Sequence, residues 1–242
     1  SQKLAKLYVV DSDRFKNDEM LMALLLKRKR IIHKAEGKKT VFSQILRDRI
    51  NTNGSLKYTL VYVPEGNEPS DFSDNDNDRN DTISDDAETL HLIEEYTRLV
   101  AQVDSHTTVM QFTGETSNRE EILDRFSKGQ LDVLTSMKCL DEGIDVPRSE
   151  MAIFCASTGN PRQFIQRRGR ILRLHNDKQY AIIHDLVVVP KIDYGSLSYK
   201  MERNLLNNEM KRVREFANLS ENSSDTVKEL EDILTYYNLS TF

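Results

Sequence analysis

This sequence predicts an α/β domain built on a mostly parallel sheet, for three reasons. Short runs of apolar and β-branched residues alternate with amphipathic stretches between Lys57 and Asp185. Strands separated by helices need crossover connections, and these make neighbouring strands parallel. The first run, Lys57 to Val63, is nearly continuous in apolar and β-branched residues, as a strand covered on both faces would be.

Each element follows in order. Residues 2–51 read as helical, with Met20, Leu21, Leu24, Leu25, Arg28, Ile31 and Ile32 at helical spacing. A second helix is expected over Thr40–Arg49, with Val41, Ile45 and Leu46 inward. The basic run Lys27-Arg28-Lys29-Arg30 is read as a solvated helix face. The strand Lys57–Val63 ends at Pro64 and Gly66. A stretch poor in hydrophobes and rich in Asn, Asp and Ser follows, read as a mobile surface loop through Ser84. Next come a helix over Asp86–Val103, a strand over Thr107–Phe112, and a helix over Ser117–Lys128 closed by Gly129 as its C-cap. Leu131–Thr135 reads as a strand, Lys138–Leu140 as a turn of helix, and Met151–Ala156 and Tyr180–Asp185 as further strands. Charged helices are expected over 199–218 and 224–237. The chain thus divides into a helical lead-in (1–52), the α/β domain (53–190, with the acidic loop at 65–84) and a helical extension (191–242).

Charge and cysteine usage narrow the function classes. The formal net charge of −5 is uneven: residues 65–88 hold ten acids and one base, Arg79, so the rest of the chain is positive. The acidity is local and leaves a phosphate-binding surface possible elsewhere. No apolar run approaches the ~20 residues of a membrane helix. With Cys139 and Cys155 both in apolar segments, reduced thiols and a cytoplasmic location are expected. No Cys/His cluster has zinc spacing, so no metal site is expected.

The densest chemistry lies between Asn160 and Arg173. Asn160 suits an N-cap, and Pro161 suits the first helical position. A helix from there places Gln166 and Arg170 on one face, and adds Arg173 only if the helical path continues past Gly169. Four arginines within seven residues suit an anionic ligand, since each guanidinium is permanently charged and binds phosphate bidentately.

Gln166-Arg167-Arg168-Gly169-Arg170-x-x-Arg173 resembles motif VI of superfamily 2 helicases and translocases, which lies on their second RecA-like domain. Other elements follow the same order. Leu60-Val61-Tyr62-Val63 matches the motif IV strand. Phe112-Thr113-Gly114, followed by Arg119 to Phe126 and Gly129, resembles the element between motifs IV and V. Leu140-Asp141-Glu142-Gly143-Ile144-Asp145-Val146-Pro147 resembles motif V. The Gln-Arg start of motif VI is closer to restriction and repair translocases of the DEAD/DEAH-like branch than to DEAD-box RNA helicases.

The resemblance implies a three-layer RecA-like fold with flanking helices at both ends. It also implies ATP and Mg²⁺ as cofactors, both held mainly by a first RecA-like domain that this sequence lacks. Arg170 and Arg173 then face the γ-phosphate as arginine fingers, and Gln166 orients that end of the nucleotide. Asp145 accepts from the ribose hydroxyl, and Gly143 gives the backbone room to approach. DNA, with RNA as the other possibility, crosses the top of the domain near Thr113, Gly114, Thr135, Ser136 and Lys138. Six residues before Gly143, where many relatives carry a phosphate-binding Thr, stands Met137. Implied partners are the first RecA-like domain and nuclease, methylase or specificity components.

No G-x-x-x-x-G-K-[ST] loop and no Asp-Glu-x-His/Asp box occur, so this chain reads as half an ATPase, inactive alone. The competing reading is a RecA-like docking or nucleic-acid-binding domain that never meets ATP; it has no need for Gln166, Arg170 and Arg173 at this spacing. A free-standing phosphotransferase is excluded by the missing phosphate loop. Glu209-Met210-Lys211 has nuclease-like spacing but sits in a charged helical pattern without a Pro-Asp strand.

Overall fold

A computed structural model describes residues 35–63, 83–137, 148–155, 161–195 and 197–240, with Ile32 and Val146 besides. Its elements run in the order α1 (Glu36–Asn53), β1 (Thr59–Tyr62), α2 (Ile83–Val103), β2 (Val109–Phe112), α3 (Arg119–Ser127), β3 (Val133–Ser136), β4 (Met151–Phe154), α4 (Pro161–Ile171), β5 (Ile182–Asp185), α5 (Tyr199–Ala217) and α6 (Ser223–Tyr236). The chain forms two compact units, one spanning His33–Leu186 and one holding the described residues from Val187 onward. Among the described residues, no helix is long and apolar enough to cross a membrane. The helical lead-in before Ile32, the expected acidic loop up to residue 82 and the turn at Lys138–Leu140 lie outside the described residues; the loop's last two expected residues, Ile83 and Ser84, already belong to α2.

All five strands are parallel, in the order β2-β3-β1-β4-β5. Alternation along each strand divides the sheet into two faces. Val61, Val63, Val133, Met151, Ile153 and Cys155 join Phe42 and Leu46 of α1 and Leu92, Ile93, Tyr96 and Val100 of α2 in one buried cluster. Leu60, Tyr62, Leu134, Ala152 and Phe154, also buried, belong to the other face, where Tyr62 meets Arg167 of α4. The architecture is therefore the three-layer α/β fold.

The inward set of α1 differs from expectation. Val41 is half exposed, while its neighbour Phe42 is fully buried and packs edge-on against Tyr96 at 5.0 Å. Successive helical positions point ~100° apart, so Val41 and Phe42 cannot share a face. The stripe that wins is Lys38, Phe42 and Leu46, each one turn from the next. Gly129 adopts the left-handed conformation (φ +67°) after α3, and the Gln130 N–H reaches the Arg125 carbonyl at 2.9 Å. Cys155 is a free, buried thiol, and burial pushes its pKa up.

In the second unit α5 and α6 share a core of Leu206, Met210, Val213, Leu234 and Tyr237. Arg203 closes the end of α6 by donating from Nε to the Tyr237 carbonyl at 2.9 Å and from Nη2 to that of Asn238 at 3.1 Å.

Candidate functional site

Strand order fixes where a ligand site belongs. The chain leaves β1 toward the edge strand β2, and leaves the adjacent β4 toward β5. Connections diverging from neighbouring strands open a crevice at their carboxyl ends, where parallel α/β sheets bind ligands. From that end of β4 the chain proceeds into α4, the arginine helix.

Pro161 is the first residue of α4, where no backbone donor is needed. Gly169 does not break the helix. The path even extends past Ile171: the Leu172 N–H donates to the Arg168 carbonyl at 3.1 Å, and that of Arg173 to the Arg170 carbonyl at 3.2 Å. Arg173 is thus carried on a tight turn one step beyond the helix. A Cβ at Gly169 would meet nothing within 4 Å, so that surface is open to an approaching group.

The arginines separate by face. Arg167 is only 2 % exposed, and its guanidinium carbon lies 5.3 Å from the centre of the Tyr62 ring. That ring stacks on Phe154 at 4.8 Å. Arg170 is 9 % exposed and Arg168 half-buried, while Gln166 and Arg173 are exposed. Arg167, Arg170 and Ile171 share the inward side by their three- and four-residue spacing. Gln166 and Arg173 stay on the exposed side, with Arg170 enclosed between the two groups.

The residues that brace this helix carry no motif signal. The Lys178 ammonium donates to the carbonyls of Ile171 (2.9 Å) and Ser149 (3.1 Å), tying the last turn of α4 to the segment before β4. Burial lowers the Lys178 pKa, partly opposed by Glu150. Arg148 pairs with Asp177, reaches His175 Nδ1 at 3.3 Å and lies 4.4 Å from the centre of the Tyr58 ring. Arg173 therefore sits between a helix end and a clasped turn. At the opposite strand end, the buried Lys38 ammonium donates to the Cys155 carbonyl at 2.9 Å, just ahead of the connection to α4. A lysine alone in a charged sequence gives no hint of such main-chain partners.

The expected nucleic-acid residues fare differently. Thr113 and Gly114 lie in an accessible turn after β2. The Thr113 N–H donates to Thr116 Oγ1 at 2.8 Å, and Arg119 Nη2 donates to the carbonyls of Thr113 and Gly114 at 3.1 and 2.8 Å. Thr135 is corrected: its side chain is fully buried on the α2 face and its hydroxyl lies 2.7 Å from that of Thr97. Strand alternation turns it into the core, where no phosphate can reach it. Ser136 is also buried, and its hydroxyl donates to the Met137 carbonyl at 2.6 Å. Lys138, Gly143 and Asp145 lie outside the described residues.

This donor set fits the phosphate end of a nucleotide, since an exposed guanidinium beside open helix surface offers a planar fork for oxygens. Among the described residues, no three His, Cys, Asp or Glu side chains gather in a way that could hold a metal ion.

An all-parallel sheet of this order, with an arginine-bearing helix after its fourth strand, defines an open three-layer α/β domain. Residues 79–175 match the helicase conserved C-terminal domain family. It is similar to the DNA 3'-5' translocase XPB2 of Sulfurisphaera tokodaii, 40 % identical over 95 residues, or 39 % of this chain and 20 % of the relative. It is also similar to Dicer-like protein 2 of Pyricularia oryzae, 31 % identical over 113 residues, or 47 % of this chain and 8 % of the relative. The chain thus spans a fifth or less of either protein. A fragment of a putative HsdR subunit of a type I restriction enzyme from Vibrio vulnificus superposes with a TM-score of 0.46 at 19 % identity, over 61 % of this chain and 26 % of that one.

Proposed function

We propose that this chain is the second RecA-like domain of an ATP-dependent superfamily 2 DNA helicase or translocase from a restriction or DNA-repair system. It supplies motifs IV to VI and acts in the cytoplasm. The observation that supports this reading is the division of α4: Arg167 anchors the helix to the sheet over Tyr62, while Gln166 and Arg173 stay exposed with Arg170 behind them. Bound ATP with Mg²⁺, held mainly by a first RecA-like domain, supplies the phosphoryl group transferred to water. Arg173 and Arg170 neutralise charge on the phosphate oxygens, and Gln166 orients that end of the nucleotide. Gly143 and Asp145 take the ribose side. The turn at Thr113 and Gly114 meets nucleic-acid phosphates, which position a strand without reading its sequence. With no phosphate loop of its own, the chain alone hydrolyses no ATP.

The test is Arg173→Lys in the longer protein that carries this domain. Lysine keeps the charge and loses the planar fork. The kcat for ATP should fall ~10²-fold or more with KM little changed, because the contact forms fully only in the transition state. DNA affinity and its salt dependence should be unaltered. Normal turnover with weakened, less salt-sensitive DNA binding would make this face a nucleic-acid surface and overturn the assignment.

A further inference from the structure

The second unit carries a groove that the proposed activity does not use. It is lined by Ile192, Tyr194, Tyr199, Thr235, Tyr236 and the carboxylates of Glu231 and Asp232, with a volume of roughly 810 Å³. Its aromatic wall is ordered by ring packing. Tyr194 meets Tyr236 edge to face at 5.0 Å, and Tyr199 meets Tyr236 at 5.6 Å. Two hydroxyls are committed to backbone: Tyr236 donates to the Asp193 carbonyl at 2.5 Å, and Tyr199 to the Tyr236 carbonyl at 3.0 Å. What the wall offers a ligand is therefore ring surface, and Tyr194 is 89 % exposed. Among the described residues, that ring packs on Tyr236 and leaves the rest of its surface open.

The charge beside the rings selects the occupant. Asp232 lies one helical turn before Tyr236, and Glu231 one turn before Thr235, so a pair of carboxylates borders the aromatic wall. Along α6, Asp225, Glu229, Glu231 and Asp232 face a single base, Lys228. Lys191 and Lys200 adjoin the loop in sequence but do not line the groove. These carboxylates repel phosphate, so a nucleic-acid strand does not stack here. A cation suits both features, because ring faces attract positive charge and the carboxylates pair with it. Arginine suits them better than lysine: its flat guanidinium lies on a ring while its fork reaches a carboxylate.

We infer that the Tyr194–Tyr236 groove of the C-terminal unit is a docking site for an arginine-bearing segment of a protein partner. It is a protein contact on a chain whose other unit faces nucleotide and nucleic acid. This inference does not depend on the role proposed for α4.

Binding to the 242-residue chain is measured by calorimetry and by shifts of the tyrosine ring signals. The probe is an acetylated, amidated hexapeptide alternating arginine and glycine; lysine–glycine and glutamate–glycine hexapeptides and oligothymidylate are the comparisons. The arginine peptide should bind tighter than the lysine peptide and move the ring signals of Tyr194 and Tyr236. Tyr194→Ala and Asp232→Asn should each weaken binding about two- to fivefold, the effect of one exposed cation–π or ion-pair contact. Asp225→Asn, on the same helix but away from the groove, should leave it unchanged. Equal weakening by Asp225→Asn would show diffuse attraction to an acidic helix and overturn the proposal. So would equal binding of the lysine peptide, binding of oligothymidylate at the same rings, or no response to the arginine peptide. A variant is compared only when its tyrosine spectrum away from the groove matches that of the parent chain.

Discussion

Arg167→Ala should destabilise the unit that contains the sheet, although this arginine belongs to the motif proposed to face the nucleotide. Its side chain is almost wholly buried, with the guanidinium above Tyr62 and Tyr62 stacked on Phe154. Truncation removes two buried methylenes, ~0.8 kcal/mol each, and a desolvated cation–π contact of ~2 kcal/mol, giving a loss of about 3–4 kcal/mol. Arg173→Ala, at an exposed position, should cost less than half as much. Urea unfolding is followed by reaction of the buried Cys155 thiol in a Cys139→Ser background, so that the signal reports this unit alone. Combining Arg167→Ala with Tyr62→Leu should reveal a coupling of about 1–2 kcal/mol. A coupling below ~0.5 kcal/mol, or a loss from Arg167→Ala no larger than that from Arg173→Ala, would refute the anchoring role.

Gly129→Ala should cost about 2 kcal/mol or more, since a left-handed non-glycine residue alone costs ~1–2 kcal/mol and the new Cβ would lie 2.7 Å from Tyr58 Oη. Gly54→Ala, at φ +74° in open space, should cost only the conformational part; equal Tm losses for the two would show that Tyr58 gives way. The His184 pKa is lowered by burial and then by Arg49, partly opposed by Asp48, so the folded state holds the ring neutral. Stability is therefore complete above the unfolded pKa of about 6.5 and declines as pH falls through the folded value, by at most ~1.4 kcal/mol per pH unit. His184→Gln should flatten that slope in urea titrations at pH 5 to 7, and an unchanged slope would assign it to other groups. Lys178→Met should speed hydrogen exchange at Leu172 and Arg173 by about tenfold, the effect of losing ~1–1.5 kcal/mol of hydrogen bonding at the end of α4. Unchanged exchange would show that the helix end holds without it.

The strands were legible because Leu60–Val63, Val133–Ser136 and Met151–Phe154 are buried on both faces and read as unbroken apolar or β-branched runs. Helix ends shifted by a few residues, as frayed turns do. The inward face of α1 was not legible. Its buried stripe includes Lys38, whose partner is a main-chain carbonyl 117 positions away, and periodicity weighs only apolar residues. The arginine motif was legible as a spacing, but the spacing could not show that Arg167 turns inward, because that depends on Tyr62 lying beneath it. Thr135 was misplaced for a related reason: Val133–Ser136 is covered on both faces, so neither register brings one of its side chains to the surface.

The family match begins at residue 79, after β1 has already passed, and stops at 175, before β5. Yet Thr59–Tyr62 is the middle strand, paired with Val133–Ser136 on one side and Met151–Phe154 on the other. A fragment trimmed to the matched segment would keep β2 with β3 but leave β4 with no neighbour on either side. The stretch over which relatives agree is thus shorter than the stretch that must be synthesised together. A self-sufficient expression fragment has to start upstream of Lys38 and run through Leu186, with the central strand supplied from outside the region by which the domain is recognised.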